Sequence, residues 1–191
     1  MVSVDAILLA GGRASRLDGA TKPMLRVGGR TLLHTAVDAV RAAGARRVVV
    51  VAPVLDDVLE VTWTREDPPF GGPVAAIVAA LGDVNAEEVF VLACDLPTAG
   101  PAVALLSGPV PDNADGACLD DGRHQWLIGR YRTAALRAAA SGVSGGGRDA
   151  SMRALLGGLR VESVRADPAL TRDIDTWEDL RKVAPDGFSS T

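Results

Sequence analysis

Apolar residues fall in three short, nearly continuous runs in the first half of the chain, at residues 4–10, 47–52 and 88–94. Runs of that length without polar alternation mark strands covered on both faces, as in a parallel sheet. Between them the period changes. Over residues 31–43, Leu32, Leu33, Ala36, Val37 and Val40 recur at helical spacing, and Gly44 supplies a stop. Residues 73–81 read as a second helix with Pro73 in its first turn, where a missing N–H costs nothing. This alternation predicts an α/β fold with a mostly parallel sheet. Ligands of such sheets sit beyond the carboxyl ends of the strands. Gly11-Gly12 and Asp95-Leu96-Pro97 both fall at such ends.

The second half is less regular. Residues 125–131 and 159–164 read as strands, and residues 134–140 and 150–156 as helices. The stretch 141–147, rich in Ser and Gly, reads as a flexible linker. A closing helix is expected over 176–183, capped by Thr176 or Asp175. One domain over residues 1–184 is expected, followed by a frayed tail at 185–191.

Composition narrows the function. The 191 residues are 48% hydrophobic, enough for a proper core, and the net charge of −4 disfavours binding to a nucleic-acid backbone. Two cysteines, Cys94 and Cys118, are too few for a disulfide scaffold, and both read as buried fillers within strands or beside them. No apolar run reaches the roughly 18 residues of a membrane span. A soluble cytoplasmic domain is the expectation.

The chemistry concentrates in Leu9-Ala10-Gly11-Gly12-Arg13-Ala14-Ser15-Arg16-Leu17-Asp18-Gly19-Ala20-Thr21-Lys22-Pro23. Glycines after a strand let backbone N–H groups approach a phosphate, and Arg13, Arg16 and Lys22 add three cations. A Walker A loop is excluded because Pro23 follows Lys22, and a dinucleotide-binding loop because the glycines are adjacent. Asp95 ends an apolar run, where a carboxylate needs compensation; a hard cation such as Mg²⁺ would give it, and capping of a following helix is the plainer alternative.

The loop resembles the signature of nucleotidyltransferases that couple a nucleoside triphosphate to a phosphorylated acceptor, and within them the molybdenum cofactor guanylyltransferase family. Arg65-Glu66-Asp67 with Gly71-Gly72-Pro73, Cys94-Asp95-Leu96-Pro97, Asp121-Gly122-Arg123-His124, Gly147-Arg148-Asp149 and Asp173-Ile174-Asp175 extend the likeness through most of the chain. The resemblance implies a three-layer, doubly wound sheet of the nucleotide-diphospho-sugar transferase type. It implies guanylyl transfer from GTP to the phosphate of molybdopterin, with Mg²⁺ and with pyrophosphate as leaving group. Molybdenum-insertion proteins and molybdoenzymes would be the onward partners. CTP with molybdopterin, a sugar 1-phosphate acceptor, or a non-catalytic nucleotide-binding module are the alternatives.

Matched residue by residue, Leu9, Ala10 and Gly11 would hold base and ribose through the backbone, and Gly12 would cradle phosphates. Arg16 and Lys22 would neutralise charge during transfer. Asp67 matches a carboxylate contacting the nucleoside, and Asp95 the magnesium ligand. The chain departs from the pattern at Leu17-Asp18, at Thr21, at Val51, where relatives can carry Asn for base contact, and at Asp173-Ile174-Asp175, where some relatives carry Asn-x-Asn. Asp173 or Asp175 is a candidate second carboxylate. The arginines of the second half, Arg123, Arg130, Arg132, Arg148 and Arg153, are expected singly on the solvated surface and jointly as an anion-binding face. His34 reads as structural, His124 as a surface turn, and Trp63, Trp126 and Trp177 as partial core.

Overall fold

The computed structural model describes residues 2–11, 21–56 and 59–183. Among them the strands are β1 (Val4–Leu9), β2 (Arg26–Val27), β3 (Arg30–Thr31), β4 (Val48–Val51), β5 (Thr62–Thr64), β6 (Glu88–Ala93), β7 (Gly116–Asp120), β8 (His124–Arg132) and β9 (Val161–Arg165). The helices are α1 (Leu32–Ala42), α2 (Pro73–Ala80), α3 (Ala99–Ala104), α4 (Thr133–Ser141), α5 (Met152–Leu156), α6 (Pro168–Thr171) and α7 (Trp177–Val183). None of them is long and apolar enough to cross a membrane. Strands β2 and β3 make a small hairpin, and the other seven form one sheet in the order β5-β4-β1-β6-β8-β7-β9. Only β8 runs against its neighbours, so the sheet is mostly parallel.

Strand alternation builds the three layers. On β1, Ala6 and Leu8 join the core beneath α1 and α3, while Ile7 joins the core beneath α2, α4 and α5. Strands β4 and β6 divide the same way: Val48 and Val50 against Val49, and Phe90 and Leu92 against Val91. The chain steps outward from β1 to β4 and β5, then returns to lay β6 on the other side of β1. The strand order therefore reverses between β1 and β6, where a doubly wound sheet opens its ligand crevice.

Three buried charged side chains stitch this frame. Asp5 of β1 accepts from the backbone N–H groups of Arg47 (3.1 Å), Asn85 (2.8 Å) and Ala86 (3.0 Å), tying β1 to the entries of β4 and β6. Glu88 pairs with Arg130 at 2.5 Å across β6 and β8, and both side chains are buried. Arg130 also donates to the carbonyls of Ser107 and Leu106, and Glu88 accepts from Val110 N–H, so the pair is hydrogen-bonded on both sides. Arg130 is thus a structural ion rather than a solvated surface arginine.

The linker expected at 141–147 is instead a fitted clasp. Helix α4 runs on to Ser141, and a 3₁₀ turn follows at Ser144–Gly147. Gly147 sits at φ +81°, and a Cβ there would stand 2.7 Å from Val74 Cγ1, so the glycine lets the turn rest on the first turn of α2. His124 opens β8 rather than a loop, with its ring 4.5 Å from that of Trp126 in an edge-on contact. The tail at 185–191 lies outside the described residues.

Candidate active site

A cleft of about 620 Å³ opens beyond the carboxyl ends of β5, β4, β1 and β6. Leu9 and Gly11 form its middle, and buried Val51 its floor. Helix α2 contributes Gly72, Pro73 and Ala76. Glu66 and Phe70, in the segment after β5, stand at one end and Asp95, after β6, at the other. Three strand spacings separate β5 from β6, a span of about 14 Å, which suits an extended nucleotide with its base at one end and its phosphates at the other.

The Asp95 end gathers charge. Ile174 N–H donates to the Asp95 carbonyl at 3.0 Å, which brings Asp173 and Asp175 to either side of that contact. Ile174 itself is buried with Leu25, Leu32 and Leu180, so the hairpin after Lys22 and the segment leading into α7 share one small core. Lys22, at the start of a 3₁₀ turn (Lys22–Met24), reaches Asp175 Oδ1 at 2.6 Å. Burial holds the Asp95 carboxyl above the usual range, and the charge of Asp173 pushes the same way; Lys22 opposes them, and Asp175 adds a smaller upward push.

The two competing readings of these carboxylates separate here. Helix α3 takes Thr98, not Asp95, as its N-cap residue. Thr176 and Asp179 satisfy each other at the start of α7: Asp179 N–H donates to Thr176 Oγ1 at 3.2 Å, and Asp179 Oδ2 accepts from the Thr176 hydroxyl and N–H. Asp175 is thereby released to pair with Lys22.

Crowded carboxylates around a half-buried Asp95 suit a hard cation. Among the described residues no three His, Cys, Asp or Glu side chains form a ready-made cage. Magnesium is held by one or two carboxylates and completes its shell with water and substrate phosphates. Asp95, with Asp173 beside it, fits that demand.

Other expected site residues take varied positions. Leu9 and Gly11 line the cleft; Ala10 is buried just behind, with its N–H donating to the Val51 carbonyl at 3.3 Å. Gly12, Arg13 and Arg16 lie outside the described residues. Asp67 is exposed, and it is its neighbour Glu66 that lines the cleft. Glu66 Oε1 accepts from Phe70 N–H at 2.9 Å, which fixes the carboxylate, and Arg65 stacks over the Phe70 ring at 5.4 Å. Arg148 and Asp149 also line the cleft and are tied to the segment after β5, where Asp149 N–H donates to the Gly71 carbonyl at 2.8 Å and Arg148 to the Pro68 carbonyl at 3.3 Å. A signal for Glu66 existed: Thr62, Thr64 and Glu66 share the parity of β5, and Asp67 has the other.

A second cleft, of about 320 Å³, adjoins the first and shares Ala93, Asp95 and Leu127 with it. Its outer wall comes from the turn between β7 and β8. Two ligand-sized spaces therefore meet at one carboxylate, the arrangement needed to bring two reactants together.

Residues 6–162 match the family described as the MobA-like NTP transferase domain. A protein of Synechococcus elongatus named probable molybdenum cofactor guanylyltransferase is 32% identical over 183 residues, covering 88% of this chain and 89% of its own length. Among solved structures, a nucleotidyl transferase from Methanothermobacter superposes with a TM-score of 0.75 at 19% identity, covering 96% of this chain and 97% of its own. The molybdopterin-guanine dinucleotide biosynthesis protein A of Archaeoglobus fulgidus gives 0.67 at 18% identity, with coverages of 95% and 97%. The two superpositions speak for the fold.

Proposed function

The chain belongs to the MobA-like NTP transferase family, and from that premise we propose that this nucleotidyltransferase moves the guanylyl group of GTP onto the phosphate of molybdopterin. A phosphate oxygen of the acceptor attacks the α-phosphorus. The bond from that phosphorus to the bridging oxygen of the β-phosphate breaks, and pyrophosphate leaves with the electron pair. The product is a guanine dinucleotide of the cofactor.

The observation that carries this reading is the convergence of Lys22, Asp95, Asp173 and Asp175 where the two clefts meet. Transfer of this kind asks little covalent chemistry of the protein and much positioning. Gly11 leaves room for a backbone approach to the nucleotide. Lys22 brings a cation toward the phosphate end, held in place by Asp175. Asp95 and Asp173 are the residues that would hold Mg²⁺, which supplies charge neutralisation for the reacting phosphates. Glu66, at the other end, is an acceptor suited to the N1–H and N2–H₂ donors of guanine.

Pyrophosphate release tests the reading. Purified protein is supplied with GTP, CTP, UTP or ATP, with magnesium, and with molybdopterin or glucose 1-phosphate. Release is expected with GTP and molybdopterin. Release only with the sugar phosphate, or preference for CTP, would replace the proposed substrates; none with any pair would point to a non-catalytic nucleotide-binding module.

A further inference from the structure

Strand β8 leaves its ladder in mid-course. Cys118 of β7 pairs with Gly129 of β8, yet the next residue of β7, Leu119, pairs with Gln125. A regular antiparallel ladder would step back along β8 by one residue there; instead it steps by four. Trp126, Leu127 and Ile128 therefore stand out from β7 as a bulge. On the other side, pairing with β6 ends at Ile128. Trp126 and Leu127 thus have no register partner on either neighbouring strand.

Tyr131 closes this bulge. Its hydroxyl donates to the Trp126 carbonyl at 2.7 Å. Five residues of regular strand span about 16 Å, more than a tyrosine side chain reaches, so the bond exists only because the bulge turns back. Two glycines leave the ring its path. A Cβ on Gly116 would overlap Tyr131 Cδ1, and one on Gly129 would stand 2.5 Å from the hydroxyl oxygen. Tyr131 is fully buried. Burial holds its hydroxyl well above the ordinary range, with Cys118 pushing the same way, so the group stays a proton donor.

Leu127 gives the bulge its consequence, because it lines both clefts beside Ala93 and Asp95. An apolar ridge between two reactants offers neither a hydrogen bond. What it can do is set how each lies against the shared carboxylate. We infer that Tyr131 is a positioning residue for the transfer: its hydroxyl fixes the Trp126 carbonyl and so holds Leu127 as the ridge beside Asp95. The inference rests on the transfer reading above and adds to it a residue that lines neither cleft. A bulge beside a reactive site re-aims side chains, and here one hydrogen bond sets the aim.

The test compares Tyr131→Phe, which keeps the ring and removes the bond, with the wild type and with Val40→Ala. The latter opens a cavity at a buried position near the end of α1 and touches no part of the bulge. Hydrogen exchange read by mass spectrometry should rise at residues 125–128 in Tyr131→Phe and stay unchanged in β4. In turnover with GTP and molybdopterin, Tyr131→Phe should lose about 10- to 100-fold in kcat, the scale of a misplacement of about 1 Å. Its GTP affinity should stay within about twofold of the wild type. Val40→Ala should lose at least as much melting temperature and keep its kcat, which separates positioning from general loosening. Wild-type kcat in Tyr131→Phe, or an equal loss of kcat in Val40→Ala, would overturn the role. So would a loss of GTP affinity as large as the loss of kcat, which would make Tyr131 a support of the nucleotide cleft as a whole. A wild-type protein that transfers nothing fails the transfer reading instead. Exchange then decides the hold on the bulge: a rise at 125–128 in Tyr131→Phe upholds it, and no rise overturns it.

Discussion

Lys22 Nζ and Asp175 Oδ1 lie 2.6 Å apart although 153 residues separate them in the chain. The carboxylate is about half exposed, so water screens the pair and its contribution to stability is small, about 0–1 kcal/mol. Activity and stability should therefore separate. Lys22→Ala should lower kcat by about 10²–10³-fold, the usual cost of one electrostatic contact made mainly in the transition state, while the melting temperature barely moves. Asp175→Asn should leave stability similarly intact and reduce kcat less than Lys22→Ala does. Steady-state kinetics beside thermal melts make the comparison, and wild-type kcat in Lys22→Ala would remove the lysine from the phosphate end.

Asp95 should show the opposite trade. Its folded carboxyl titrates above the unfolded value of about 3.9. A group raised on folding contributes stability below its unfolded pKa and loses it as pH rises through the folded one. In the metal-free protein near pH 7 the ionised Asp95 is therefore a net cost. Asp95→Asn should raise the melting temperature at pH 7, show a shrinking gain toward pH 4, and abolish magnesium-dependent turnover. A lower melting temperature at pH 7 would contradict the electrostatic account.

Base selectivity should follow Glu66 rather than Asp67. Val51 gives the cleft an apolar floor with no side-chain hydrogen bond to offer a base. Glu66→Gln should weaken GTP binding about 10-fold or more, the cost of losing a hydrogen bond to a charged group, and narrow the preference for GTP over ATP. Asp67→Asn should change neither. Calorimetric titration of both variants with GTP and ATP decides, and the reverse ranking would return the role to Asp67.

The Glu88–Arg130 pair should dominate a stability scan of the sheet. Arg130→Ala leaves a buried carboxylate without its cation, a loss of about 3–5 kcal/mol. Replacing both partners by Leu and Met should cost much less, because no charge is stranded. Urea denaturation of the single and double variants measures the difference.

Much of this frame was legible because strands buried on both faces advertise themselves: the runs at β1, β4 and β6 are apolar nearly throughout. The crevice was legible for a related reason, since glycines and an aspartate stood where two of those runs stopped. What escaped were relationships set by tertiary contact. Strands β2, β3 and β5 are two or three residues long, too short to show a period. The Ser-Gly stretch before Arg148 reads as loose because glycine permits looseness, yet at Gly147 the missing side chain is what allows close packing on Val74. Arg130 looks like any surface arginine until Glu88 is found opposite. Asp175 and Thr176 compete as caps in sequence, and only the bonds to Asp179 and Lys22 assign each its place.

The hydrogen bond from Ile174 to the Asp95 carbonyl gives this site a timetable. A ribosome delivers the glycine turn and Lys22 early and Asp175 153 residues later. At roughly 5–20 residues per second, that gap is on the order of 8–30 s. Over the last 26 residues of that gap, from Asp149 to Asp175, every lining residue of the cleft has been made but the segment that braces its lysine has not. Completion of the reactive end is thus postponed until α1 through α6 have been made, so an unfinished chain is equipped to hold a nucleotide before it is equipped to spend one.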